Sequence, residues 1–416
     1  MSGSLAIGAV PLDEAWSALR RLEPGARAFY AYDLDALVGR ARRFRAAFAS
    51  LDPLVAYALK ANALPALLEV LAAEALGADA ASLGELERAK AAGFDGARRV
   101  LNGNGKTREE LEWAAREGVH SLNADHVGEL DPLERAAAAS GRKVAVALRV
   151  NPGIATPGHP YVATGDEEAK FGISATEALA AFAARTRWPH LEVNGVHVHV
   201  GSQILDPEPL RRAASFALEL AAEAERRGTP LGFVNLGEDS AWITPIPIAR
   251  FPLERFAAEI VERFHGRGLR LVLEPGRWLV APVGTLVAEV LWVKERDGRR
   301  FVVLAAGMND FLRPALYGAR HRIVPVTPRP GPITNATVVG PVCESADTFA
   351  EQVALPPVEA GDRIAILDAG AYGACMASHY NGRPRLAELV VRGGRLLYAR
   401  ALEAFPARLP DPTPLP

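Results

Sequence analysis

A chain of 416 residues exceeds the length at which one core keeps growing, so two domains are expected. Hydrophobic residues at 49% and charged residues at 23% exclude disordered and collagen-like classes. A net charge of -2 provides no basic surface for nucleic acid or an anionic membrane, and two cysteines, Cys343 and Cys375, argue against a disulfide framework. Met1 to Leu12 carries no basic patch ahead of an apolar run, and no uncharged stretch approaches the ~20 residues of a membrane span. A soluble cytoplasmic protein is the expectation.

From Pro53 to Glu274, short β-rich runs alternate with Ala/Leu/Glu/Arg stretches of helical period, the pattern of parallel strands joined by crossover helices. The runs are Leu54 to Leu59, Ala78 to Ser82, Arg99 to Asn102, His120 to Asn123, Val144 to Val150, Val193 to Val200, Phe233 to Leu236 and Leu271 to Glu274. Eight such units predict an α/β fold, a closed (β/α)8 TIM barrel rather than an open doubly wound sheet. The glycine-rich dinucleotide fingerprint is also missing after the first run, where Lys60-Ala61-Asn62 stands. After Arg277 the texture becomes β-type, with runs at Gly284 to Val293, Phe301 to Leu304, Ile364 to Leu367, Ala387 to Val391 and Arg395 to Tyr398. The predicted division is a barrel over residues 30–277 and an all-β sandwich or barrel made of 1–29 with 278–416. Pro406 to Pro416 reads as a loose tail.

Barrels bind ligands at the C-terminal ends of their strands, so the polar residues closing each run are the first candidates. Lys60 follows the apolar Val55 to Leu59, which places a partly desolvated amine at the barrel mouth, suited to imine formation; the plain alternative is a solvated loop lysine. His197 and His199 alternate within Val196 to Val200, so on a strand they share one face, as a weak metal pair or a stacking platform for a flat ligand. Glu274 closes the last run ahead of Pro275-Gly276-Arg277, where Gly276 permits close backbone approach. A buried carboxylate there needs a cationic partner, either Arg277 or the protonated ring nitrogen of a cofactor. Pyridoxal phosphate needs both an imine lysine and such a ring partner. Arg313 and Tyr317, four apart, suit the grip of a carboxylate from one helix face. Cys343 beside Glu344, and Tyr372 within Asp368 to Gly373, carry no chemistry individually.

Together these residues resemble diaminopimelate decarboxylases, of the fold-type III pyridoxal-phosphate group that also includes ornithine and arginine decarboxylases. The resemblance runs almost end to end. Its anchors are Tyr57 to Asn62, Ser82 to Glu85, His159 to Gly172, His197 to Gln203, Glu274 to Arg277, Ala306 to Gly318, Cys343 to Asp347 and Asp368 to Arg385. It implies an alanine racemase-like barrel with a second domain, pyridoxal 5'-phosphate as cofactor, and decarboxylation of meso-2,6-diaminopimelate to L-lysine and CO2. Carried over by position, Lys60 holds the cofactor, His199 stacks on its ring and Glu274 partners its nitrogen. Ser202, Gly237, Gly276, Arg277 and Tyr372 complete the cofactor site. Substrate falls to Arg277, Arg313, Tyr317, Glu344 and Tyr372, with Cys343 as proton donor. The resemblance further implies a homodimer whose active sites are shared, Cys343 and Glu344 coming from the partner subunit.

One departure stands out. The glycine triplet of the phosphate loop appears here as Gly237-Glu238-Asp239, where two carboxylate side chains replace glycines that let backbone amides approach a dianion. Two alternatives follow: a decarboxylase for another amino acid or a carboxylated polyamine precursor, and a non-enzymatic pyridoxal-phosphate-binding homologue.

Overall fold

The computed structural model describes residues 4–155, 165, 169–201, 204–237 and 251–406. The chain forms two compact units, Leu34–Pro282 and Met1–Asp33 with Val283–Pro416. The second unit opens with β1 (Ala6–Ile7), β2 (Val10–Pro11) and β3 (Ala28–Asp33). The first unit holds β4 (Leu54–Ala58), β5 (Gly77–Ala80), β6 (Arg99–Leu101), β7 (Ser121–Ala124), β8 (Val144–Arg149), β9 (Leu191–His197), β10 (Phe233–Asn235) and β11 (Arg270–Leu273).

These eight strands close a parallel barrel in which β11 pairs with β4. They are the eight runs anticipated from the sequence, with ends differing by three residues or fewer. All five residues of β4 are buried, because a barrel strand meets side chains on its inner face and helices on its outer face. Inside, Leu54, Ala56, Val100, Ala147, Phe233 and Val272 pack as one cluster. The Phe233 ring lies against Gly195, where any Cβ would run into it, so a large residue is matched to the smallest across neighbouring strands.

Local caps start the helices that follow the strands. Ser82 Oγ accepts from Glu85 N at 3.3 Å, and Glu85 Oε2 accepts from Ala81 N at 2.7 Å, opening Leu83–Ala91. The Ser82 to Glu85 anchor is therefore a helix start. Thr107 and Glu110 form a full capping box, the glutamate accepting from the N-cap backbone itself, ahead of Arg108–Glu117.

The other unit continues with β12 (Gly284–Arg296), β13 (Arg299–Leu304), β14 (Ile323–Pro325), β15 (Thr334–Val339), β16 (Thr348–Leu355), β17 (Arg363–Ile366), β18 (Ala387–Arg392) and β19 (Arg395–Arg400). Its sheet runs β16-β15-β13-β12-β3-β18-β19, with β17 pairing both β12 and β14. Two of its pairings, β13 with β15 and β3 with β18, are parallel. This unit also carries a helix, Leu12–Leu22, which the all-β reading did not include. Leu12, Ala15 and Leu19 form its buried stripe and pack among Phe29, Val287, Ala365 and Leu389.

The expected boundaries shift at both joints. Residues 30–33 belong to β3, whose Phe29 pairs with Val287 on one side and Ala387 on the other. β3 is buried through Tyr32 and so shows no alternation to mark it as a strand. Residues 278–282 stay with the barrel unit, where the Trp278 ring meets Phe44 at 5.5 Å and the Arg40 guanidinium at 4.0 Å.

Candidate active site

The C-terminal ends of the barrel strands converge on Glu274, directly after β11. Its Oε1 accepts from Asn102 Nδ2 at 2.8 Å, Asn123 Nδ2 at 3.1 Å and Asn235 Nδ2 at 2.6 Å. Glu274 Oε2 accepts no hydrogen bond among the described residues and faces His197 Nε2 at 3.6 Å. The partners of this carboxylate are thus three amides and an imidazole rather than Arg277. Burial, and then the charge of Asp79, push the Glu274 carboxyl up, while the bonds from Asn235 and Asn102 and the charge of Lys60 pull it back.

Lys60 sits in the short turn Leu59–Ala61 after β4 and is exposed, not partly buried as its apolar approach suggested. Its charge acts on Asp79, Glu274 and His199, which locates the amine at this mouth. β9 ends at His197, so the two histidines separate. His197 is buried, while His199, past the strand end, is half-buried against Gly237. Burial, with the charges of Lys60 and Arg149, holds both imidazoles well below their ordinary range, hence neutral. No group of three metal-ligating side chains occurs among the described residues.

A shell of buried ions surrounds the mouth. Arg149 pairs with Asp125 at 3.3 Å and lies 4.3 Å over the Phe171 ring. Lys106 Nζ donates to Glu129 at 2.9 Å and to the Gly103 carbonyl at 2.5 Å. Gly237 has φ +59°, and its amide donates to Asn235 Oδ1 at 2.8 Å. Gly276 packs on Ala58 and Ala61, and Arg277 after it is buried. Ser202 and Glu238 to Ser240 lie outside the described residues.

In the sheet unit, Arg313 and Tyr317 share the short helix Arg313–Tyr317 as their spacing implied. The Arg313 guanidinium is 5.9 Å from the Tyr317 ring and 6.0 Å from the Tyr372 ring, so these three residues gather. Tyr372 adopts φ +54° and Asp368 φ +56°, strain of the kind that clusters at functional loops. Cys343 and Glu344 are exposed. Their loop is held by Asn381 Oδ1, which accepts from Cys343 N at 2.8 Å, and by Tyr380 Oη, which donates to Glu344 at 3.2 Å. Asp347 anchors the same loop, accepting from Met308 N at 2.6 Å and Val342 N at 2.7 Å.

The family described as pyridoxal-dependent decarboxylase, pyridoxal binding domain, matches residues 34–281. The chain belongs to this family. A diaminopimelate decarboxylase of Helicobacter pylori is 40% identical over 378 residues, covering 91% of this chain and 93% of that protein. One of Pseudomonas aeruginosa is 40% identical over 370 residues, covering 88% and 87%. The crystal structure of diaminopimelate decarboxylase from Helicobacter pylori complexed with L-lysine superposes with a TM-score of 0.87 at 38% identity, covering 94% of this chain and 97% of that one.

The barrel mouth of this decarboxylase-family chain fits pyridoxal 5'-phosphate. It offers an amine at Lys60, a buried carboxylate with one open oxygen at Glu274, a neutral imidazole at His199, and side-chain-free backbone at Gly237 and Gly276. Sequence reasoning missed Asp79, Asn102, Asn123 and Arg149. For Asp79 and Arg149 the signal was present, since each is a charged residue at or next to the C-terminal end of a barrel strand.

Proposed function

We propose that this chain decarboxylates meso-2,6-diaminopimelate to L-lysine and CO2 with pyridoxal 5'-phosphate as cofactor, acting in the cytoplasm as a homodimer. The observation that carries the reading is a lysine amine and a buried carboxylate with one open oxygen at the same barrel mouth. Few cofactors use both groups. The choice of substrate is supported by relatives named diaminopimelate decarboxylase and by the L-lysine complex of a structural neighbour.

Lys60 would hold the cofactor through its amine and His199 would lie against its ring, with Gly237, Gly276, Arg277, Ser202 and Tyr372 completing its seat. When bound, the cofactor supplies an electron sink for the pair released as the carboxylate departs. Glu274 keeps a proton at the ring nitrogen, which its open Oε2 suits. Cys343 Sγ gives the proton that replaces the lost carboxylate: a carbon–carbon bond breaks, CO2 leaves, and a carbon–hydrogen bond forms. Arg277 and Arg313 bind the remote carboxylate, Glu344 the remote ammonium, with Tyr317 and Tyr372 beside them. In this reading Cys343 and Glu344 are lent by the partner subunit, so a lone protomer has an incomplete site.

The test is an assay of purified protein with cofactor against meso-diaminopimelate, ornithine, arginine and lysine. CO2 release from the first alone is expected; preference for another amino acid would replace the substrate assignment.

A further inference from the structure

Asn102, just past β6, sits between two buried carboxylates. Its single amide nitrogen donates to Asp79 Oδ1 at 2.5 Å and to Glu274 Oε1 at 2.8 Å, and its Oδ1 accepts from Asn123 Nδ2 at 2.7 Å. The two amide hydrogens are thereby divided between two acids of like charge. Asn123 and Asn235 bring the donors on Glu274 Oε1 to three, while Oε2 accepts none among the described residues. Asn235 is fixed in turn by the Gly237 amide. Asp79, Asn102, Asn123, Asn235 and Glu274 are all on or directly after β5, β6, β7, β10 and β11, so the clamp spans most of the barrel mouth.

We infer that Asn102 is a positioning residue for the reaction proposed above: its amide ties Asp79 to Glu274 and turns one chosen oxygen of Glu274 toward the cofactor ring. Three donors on Oε1 leave Oε2 as the oxygen able to share a proton with a ligand, and they favour the ionised carboxylate. Asp79 opposes them as a like charge. The groups acting on Glu274 are Asp79 from β5, Lys60 after β4, Arg149 on β8 and His197 on β9. Among the described residues, Asn102 is the one side chain hydrogen-bonded to both acids.

The inference rests on the proposed cofactor chemistry, but its test does not require turnover. Isotope-edited infrared titration of the cofactor-free protein, with E274Q assigning the band, reads the Glu274 carboxyl directly. Asn102→Leu should move its titration up by about one unit, the weight of one charge-assisted hydrogen bond. Asp79→Asn should move it down, because the like charge goes while an oxygen acceptor for Asn102 remains. A merely structural role predicts no such opposition, so equal shifts or none would overturn the inference. If Asn102→Leu does not fold, the smaller change Asn102→Ala, which removes the same amide, should move the titration in the same upward direction, and no shift there would overturn the inference. Titration of each variant with pyridoxal phosphate should also give weaker binding in Asn102→Leu than in the unaltered protein. Failure of the unaltered protein itself to bind would instead count against the proposed function and leave the clamp result standing.

Discussion

The backbone of Gly237 lies against the imidazole of His199, so closely that a Cβ on residue 237 would stand 2.7 Å from His199 Nδ1. The left-handed φ of +59° adds a second reason for glycine. The first residue of the phosphate loop and the proposed ring-stacking residue are thus one packing unit.

Gly237→Ala should therefore push His199 aside and strain the loop. A left-handed alanine costs about 1–2 kcal/mol before the clash is counted. Cofactor titration should give a dissociation constant raised at least about tenfold, with a modest loss in Tm. Unchanged affinity would mean that His199 does not touch the cofactor.

The barrel was legible because its strands are short apolar runs, each closed by a polar residue that the fold carries to one mouth. β15 and β16 were not, since Thr334, Asn335, Glu351 and Gln352 expose one or both faces and blur the alternation. Lys60, His199 and Glu274 could be singled out because a lysine, a histidine or a glutamate ending an apolar run is unusual. Asn102 and Asn123 could not, because a lone asparagine at or just past the end of a strand reads as a turn residue. Their meaning arises only when residues 102, 123 and 235 meet one carboxylate oxygen across 172, 151 and 39 positions.

Acid and base should act on the sheet unit through Asp310. Burial pushes its carboxyl from an ordinary 3.8 up to about 7, against the bond from Gly307 N and the charge of Arg383. The folded protein then holds this proton more tightly than the unfolded chain. Its stabilising contribution is full below about pH 4 and is lost as pH rises towards 7. Asp310→Asn should remove that slope: the introduced amide oxygen can still accept from Gly307 N, and Asn309 Oδ1, which has no partner among the described residues, can take the new N–H after a flip. The difference in Tm between variant and unaltered protein should rise from pH 4 to pH 7. A constant difference would show that Asp310 does not titrate in this range.

Sharing of Cys343 between subunits is open to complementation. Lys60→Ala and Cys343→Ala should each be inactive alone. Mixed under conditions of verified subunit exchange, they should recover up to about a quarter of the original activity, since half the dimers are hybrid and one site in each is whole. No recovery would place Lys60 and Cys343 of one protomer in the same site.

The most direct test of the proposed reaction is product balance. Cofactor-saturated protein given meso-2,6-diaminopimelate should release CO2 and L-lysine in equal amounts, and Lys60→Ala should give neither product nor the absorbance band of bound cofactor. Bound cofactor without CO2 release, or full turnover in Lys60→Ala, would contradict it.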